Sequence, residues 1–199
     1  MIPVCVTLKL PAWVKRFLRG QPALLPRVED RMRLVVELAR RNVARGTGGP
    51  FAAAVYELKT GRLIAAGVNV VVPATCSLAH AEMMALALAQ RALGRRDLGE
   101  RRHPACELVT SVEPCAMCLG ATPWSGVRRL VCGARDGDAR AAGFDEGDKP
   151  ANWVQKLRAR GIDVERDVCR ADAARVLGDY QAVGGVIYNG RGISLVRGA

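Results

Sequence analysis

The tightest constraint on this chain is the pairing of His80-Ala81-Glu82 with Pro114-Cys115-Ala116-Met117-Cys118, whose first cysteine follows the histidine by 35 positions. Two cysteines at i and i+3 on a first helical turn face the same way, so both sulfurs can reach one ion. A helix start also favours the thiolate form that binds metal. One imidazole and two thiolates suit Zn²⁺ and leave a fourth position for water, the arrangement of a catalytic zinc. Glu82, two residues after His80, falls beside that open position without becoming a ligand, where a carboxylate can move protons. No second Cys-x-x-Cys is present to close a four-cysteine structural site, and a redox cysteine pair leaves His80-x-Glu82 unexplained. The chain must therefore fold so that two helix starts, distant in sequence, meet at one point.

The periodicity around these segments predicts an α/β domain. Val28, Met32, Val35, Val36, Ala39 and Val43 recur at helical spacing over Val28–Ala44. Phe51–Leu58 and Arg62–Val72 read as a β-hairpin across Lys59-Thr60-Gly61. A helix over 79–93 follows, then a buried strand at 107–111 and a helix from Cys115 that Pro123 should bend or stop. Next come a strand at 128–133, a Gly/Asp-rich loop over 137–148 with room for a helical turn, a helix at 153–160, a short strand at 163–166 and a final helix at 171–183. That order fits a three-layer α/β/α domain. Three divisions are expected: an N-terminal extension over 1–25 without a clear period, the zinc domain over 26–183, and a glycine-rich tail over 184–199.

Composition narrows the setting. Seven cysteines, an odd number, argue against a disulfide framework and for a reducing cytoplasm. Cys5, Cys76, Cys106, Cys132 and Cys169 read as small core residues. No apolar run is long enough to span a bilayer, and no secretory leader is expected at the first residues. The formal charge of +11 invites a nucleic-acid partner, yet the arginines are scattered and no basic run is interleaved with aromatics. Solvated helix faces are the stronger reading. His103, in a polar loop, reads as an exposed histidine.

On the His80-x-Glu82 and Pro114-Cys115-x-x-Cys118 pattern, the chain resembles the cytidine/deoxycytidylate deaminase superfamily over about Val28 to Val183. Further stretches are similar to the bacterial guanine deaminases: Gly49-Pro50-Phe51, Asn69, Leu78-Ala79-His80-Ala81-Glu82, Val112-Glu113-Pro114-Cys115, Trp124, and Ala142-Gly143-Phe144-Asp145-Glu146. The resemblance implies a five-stranded mixed sheet between helices, one catalytic Zn²⁺ per subunit on His80, Cys115 and Cys118, and a homodimer. It implies that Asn69 and the backbone near Ala81 bind the base, that Phe51 and Trp124 line its pocket, and that Glu82 is the proton carrier. A second acid would assist at the amino group: Glu146, with Asp145 as the fallback. It also implies a C-terminal segment exchanged between subunits, with Tyr188 closing the neighbour's pocket. Two departures stand out. The first strand reads Phe51-Ala52-Ala53 where the family carries Phe-Gly-Ala, and the tail is glycine-rich.

Read residue by residue without the resemblance, Phe51 and Trp124 are equally well core aromatics, Asn69 a turn cap, and Asp145 and Glu146 solvated loop acids. The implied reaction is hydrolysis of guanine to xanthine and ammonia, a small-molecule nucleobase being the partner. The alternatives are a tRNA-editing adenosine deaminase and a deaminase of cytosine or a guanine-like aminotriazine. The first differs in sequence where this chain has Ala141-Ala142-Gly143-Phe144; spacing alone does not separate the second.

Overall fold

The computed structural model describes residue 2 and residues 4–189. Along strand β1 (Ala52–Glu57) successive side chains enter two different apolar layers, Ala52, Ala54 and Tyr56 one way and Ala53 and Val55 the other. Strand β3 (Cys106–Val112) and strand β4 (Arg129–Ala134) divide likewise, Val109 and Val131 on the first side, Leu108, Leu130 and Cys132 on the second. Strands buried on both faces need a helical layer on each. Helix α2 (Val28–Ala44) and helix α8 (Arg170–Ala182) cover one face. Helix α4 (Ala81–Leu93) and helix α7 (Trp153–Arg158) cover the other. This is the three-layer architecture expected from the element order.

The sheet runs β2-β1-β3-β4-β5, where β2 is Leu63–Val68 and β5 is Asp163–Glu165. Strand β1 lies antiparallel to β2 and β3, while β3, β4 and β5 are parallel. The mixed directions gather one edge for function. The carboxyl ends of β3 and β4, the start of β1 and the end of β2 all meet there, as the pairs Ala52↔Val68, Ala53↔Thr110 and Val112↔Ala134 show. In open α/β sheets ligands occupy the crevice outside these carboxyl ends.

Helix α4 reaches that edge because β2 carries Gly67. A Cβ at Gly67 would lie 2.3 Å from the Ala81 carbonyl oxygen and 2.6 Å from the Ala85 nitrogen. Ala81, Ala85 and Ala89, at four-residue spacing, give the helix an equally flat underside. Small residues on both partners thus hold the first turn of α4 directly on the sheet.

Several elements depart from the sequence expectation. Residues 12–19, where no period was legible, form helix α1, whose Trp13 and Val14 are buried in the main core, so this part of the extension lies on the domain. Arg45 lies over Trp13 and Arg41 over Phe17, which ties α1 to α2. Val71–Ala74 forms the short helix α3 where a strand was expected to continue, while the helical turn for which the 137–148 loop left room is helix α6, Asp136–Ala141. Helix α5 (Ala116–Ser125) continues two residues past Pro123. Near a helix end a missing amide removes a single bond, and the Ser125 hydroxyl donates to the Thr122 carbonyl at 2.7 Å. Of the cysteines expected in the core, Cys106 and Cys132 are buried, Cys76 and Cys169 are half-buried and Cys5 is exposed.

Candidate metal centre and the cleft around it

His80 is the residue immediately before α4 and Cys115 the residue immediately before α5, so both helices begin at the site. His80 Nδ1 lies 3.5 Å from Cys115 Sγ and 3.6 Å from Cys118 Sγ, and the three donor atoms fall within 4.8 Å of one another. Tetrahedral zinc, with bonds of roughly 2.3 Å to sulfur and 2.0 Å to nitrogen, spaces such atoms about 3.5 Å apart. The donor set fits that ion in both chemistry and spacing. Among the described residues no other three His, Cys, Asp or Glu side chains gather in this way.

The electrostatics point the same way. Hydrogen bonds from the Cys118 thiol, and then from His80, hold Cys115 down at about 4, so this sulfur is a thiolate. The Cys118 thiol, donating to that anion and buried, is pushed far up. Burial opposes protonation of His80, but the Cys115 contact and the carboxylates of Glu82 and Glu146 outweigh it and raise the imidazole. A divalent cation binds such a set by displacing the protons its ligand atoms carry.

Two buried carboxylates face this cluster. Glu82, in the first turn of α4, is 7% exposed and accepts a hydrogen bond from Thr110 Oγ1 at 3.3 Å. Burial, with the Cys115 thiolate beside it, raises its carboxyl above the usual range. Glu146 is 5% exposed, and burial pushes it up to about 8 although Lys149 works against the shift. Both line a cleft whose walls are Phe51, His80, Val112, Glu113, Cys115, Phe144, Asp145 and Tyr188. Asp145 points its side chain back to the Gly147 amide at 2.9 Å and acts as a loop cap. Of the two neighbouring acids, Glu146 is the buried one.

Phe51 meets Phe144 edge to face, with ring centroids 4.7 Å apart. Asn69, 1% exposed, serves two purposes at once. Its Oδ1 accepts from the Val71 amide at 3.3 Å, closing a side-chain turn that leads into α3, while its Nδ2 donates to the Tyr188 hydroxyl at 2.6 Å. The Tyr188 ring stands 6.0 Å from the His80 ring, so residues 184–189 run back over their own chain's cleft. Tail residues 190–199 lie outside the described residues. Ala81 is fully buried at the start of α4, where the first amides of a helix lack partners inside it.

Trp124 departs from its expected place. Its side chain is 89% exposed and borders a surface groove with Arg96, Asp97, Arg128 and Arg160, outside the cleft. Six residues beyond Cys118 on a helix correspond to a turn of about 240° and a rise of about 9 Å, which carries the ring off the ligand face.

The sequence reading missed the residues that fix the cleft's frame. Glu113 is 3% exposed, accepting from Arg166 Nε at 2.6 Å and from the Asp136 amide at 3.1 Å. Lys149 donates to the Pro114 carbonyl at 2.8 Å and pairs with Asp136. Asn42 Nδ2 donates to the carbonyls of Gly49 and Asn69 at 2.9 and 2.8 Å, holding the loop before Phe51. Glu113 stood inside the Val112–Cys115 stretch and Phe144 inside 142–146, so for these two a signal was present. For Lys149 and Asn42 there was none, because their partners are distant in sequence.

Comparison with known proteins agrees with this geometry. The family model of the cytidine and deoxycytidylate deaminase zinc-binding region matches residues 26–134. Guanine deaminase of Bacillus subtilis is 40% identical over 129 residues, 62% of this chain and 78% of the relative. A solved guanine deaminase from Nitrosomonas europaea is 50% identical, with a TM-score of 0.86 over 92% of this chain and 99% of that one. A structure of an NE0047 mutant in complex with 8-azaguanine is 51% identical, with a TM-score of 0.86 over 90% of this chain and 98% of the other.

Proposed function

The chain belongs to the zinc-binding cytidine and deoxycytidylate deaminase family, and from that premise we propose that it hydrolyses guanine to xanthine and ammonia. The observation that carries the reading is the convergence of two buried carboxylates, Glu82 and Glu146, with the His80, Cys115 and Cys118 donor set in one aromatic-walled cleft. Similarity to guanine deaminases at half identity or near it, one such structure holding a purine analogue, supports guanine as the base.

One zinc ion per subunit, held by His80, Cys115 and Cys118, would lower the pKa of a water and so supply the nucleophile at neutral pH. The protein's own groups do the rest. Phe51 and Phe144 form the apolar wall against which a flat base packs. Asn69 Nδ2, the donor now engaged by Tyr188, is the group a purine acceptor takes over. The backbone at the start of α4, near Ala81, offers further donors. Glu82 accepts the proton of the attacking water and returns it to the ring nitrogen beside C2. The proton left on the new C2 hydroxyl then passes through Glu82 to the amino group, with Glu146 assisting there, so that ammonia leaves as the carbonyl forms. Water thus adds one oxygen to the base and ammonia departs, so the atoms balance.

We further place the enzyme in the cytoplasm as a homodimer acting in purine catabolism, with residues 26–183 as the zinc domain, 1–25 as an extension and 184–199 as a tail. Trp124, 89% exposed, is one large apolar side chain that an interface between copies would cover. No helix among the described residues is long and apolar enough to cross a membrane. The charge favours a small substrate over RNA, because many surface arginines are engaged by acids, as in Arg33–Asp30, Arg40–Glu37, Arg135–Asp167 and Arg170–Asp138.

The test compares ammonia release by the zinc-loaded protein from guanine, adenine, cytosine, cytidine and an aminotriazine. Guanine should dominate. Silence on all free bases with deamination of an RNA hairpin would move the protein to the tRNA-editing class, and dominant turnover of cytosine or the aminotriazine would move it to those.

A further inference from the structure

The segment that carries Glu146 leaves α6, crosses the start of α5 and has no regular structure of its own over residues 142–150. Such a loop can hold a carboxylate in place only if something pins it. Arg140 donates to the Gly147 carbonyl at 2.8 Å and the Asp145 amide to Asn189 Oδ1 at 2.9 Å, and three further contacts tie the loop to the turn that carries the metal cysteines. The Ala116 amide, an unpaired donor at the start of α5, gives its hydrogen to the Glu146 carbonyl at 2.9 Å. Gly147, at φ +66°, lies against Ala116 so closely that a Cβ would come within 2.9 Å of the Ala116 methyl. Finally the Lys149 ammonium, its side chain only 8% exposed, donates to the Pro114 carbonyl at 2.8 Å and pairs with Asp136.

That ammonium is the junction of a longer chain of contacts. Asp136 gives its amide to Glu113 Oε2, and Glu113 Oε1 receives Arg166 Nε. Pro114 and Glu113 directly precede Cys115. A buried lysine held by a carbonyl and a carboxylate has lost its rotamer freedom, and its release would leave the Pro114 carbonyl unpaired although Asp136 keeps Arg140. The ammonium therefore fastens the loop bearing Glu146 to the turn bearing the metal cysteines.

We propose that Lys149 is a positioning residue that sets where the Glu146 carboxylate stands in the cleft. Resting on the guanine reading, the proposal assigns it no contact with substrate. Loss of Lys149 frees the loop beyond Gly147, lets Glu146 swing, and removes its hold on the purine while leaving His80, Cys115 and Cys118 to bind zinc.

A thermodynamic cycle in protein silenced by Glu82→Gln tests this, with 8-azaguanine binding as the readout and zinc content measured alongside. Lys149→Met, which keeps the aliphatic stem, should weaken binding about tenfold, as should Glu146→Gln. Combined, they should be no weaker than Glu146→Gln alone, because Lys149 acts only through Glu146. Zinc content should stay at one per chain throughout. Multiplying effects, or zinc lost from Lys149→Met, would overturn the proposal and leave Lys149 a general structural residue. Should Lys149→Met fail to fold, Asp136→Asn, which loosens the ammonium without removing it, completes the same cycle with Glu146→Gln. A parent protein that does not turn over guanine defeats the functional reading itself, whatever the cycle shows.

Discussion

The side-chain amide of Asn69 donates a 2.6 Å hydrogen bond to the hydroxyl of Tyr188, 119 residues further along the chain. On the proposed reading Asn69 receives the purine, so the base would have to take Tyr188's place on its amide. The hydroxyl and the ring of Tyr188 then have separable effects. Tyr188→Phe removes only the competing acceptor and should change KM for guanine by less than about fivefold, one neutral hydrogen bond in magnitude. Tyr188→Ala also removes the wall beside His80 and should raise KM by about tenfold or more, the scale of a buried ring. Steady-state kinetics on the two variants decide it, and equal effects would contradict the separation.

Metal removal should abolish turnover without unfolding the chain. The ligands stand at two helix starts already packed on a continuous core, unlike a small domain that folds around its metal. Chelation followed by circular dichroism and assay should show retained secondary structure, lost activity, and recovery with Zn²⁺ but not Mg²⁺. Cys115→Ser should behave as the chelated protein does and resist rescue.

Stability rests heavily on a charge hidden in the sheet. Glu107 on β3 is fully buried between Arg31 of α2 and Arg129 of β4, and Arg31 also donates to the Leu25 carbonyl at 2.8 Å. Removing Glu107 leaves the buried Arg31 guanidinium without its counter-ion, while Arg129, 21% exposed, keeps Glu165. Glu107→Ala should cost about 3–5 kcal/mol in a denaturant titration. Replacing Arg31 and Glu107 together by apolar residues of similar volume should cost less than Glu107→Ala alone.

Acid should loosen the face made by α6 and α8. The Arg170 guanidinium on Asp138, and the Arg135 guanidinium on Asp167, hold both carboxyls below the usual aspartate value of 3.8. A depressed folded pKa adds stability above the unfolded value, and that stability is lost as pH falls through the folded one. The difference in melting temperature between the parent and Asp138→Asn should be constant from neutral pH to about pH 5 and shrink below about pH 4. A difference unchanged down to about pH 2 would contradict the linkage. The pairs are exposed, so the effect should be small and fall with salt.

The parts of this molecule legible in the sequence were those whose signal is local. Short apolar runs wrote β1, β3 and β4, and the i, i+3 cysteines with His80-x-Glu82 wrote the metal set. Helix α1 was not legible because eight residues after Pro11, rich in Lys and Arg, are stabilised by Trp13 and Phe17 meeting arginines of α2. Lys149 and Asn42 escaped for a related reason. Their partners Pro114 and Asn69 are 35 and 27 residues away, and no spacing rule connects them. Trp124 was misplaced because membership of a motif says which helix a residue is on, not which way it faces.

The most direct test of the central claim is turnover of guanine by zinc-loaded Glu82→Gln beside the parent protein, with xanthine, ammonia and bound zinc all quantified. The account predicts equimolar xanthine and ammonia from the parent, and at least about a thousandfold less from Glu82→Gln at the same zinc content, since the glutamine keeps the shape but cannot carry the proton. Comparable turnover by the two proteins would contradict it, and would mean that the buried carboxylate beside the metal ligands is not the proton carrier.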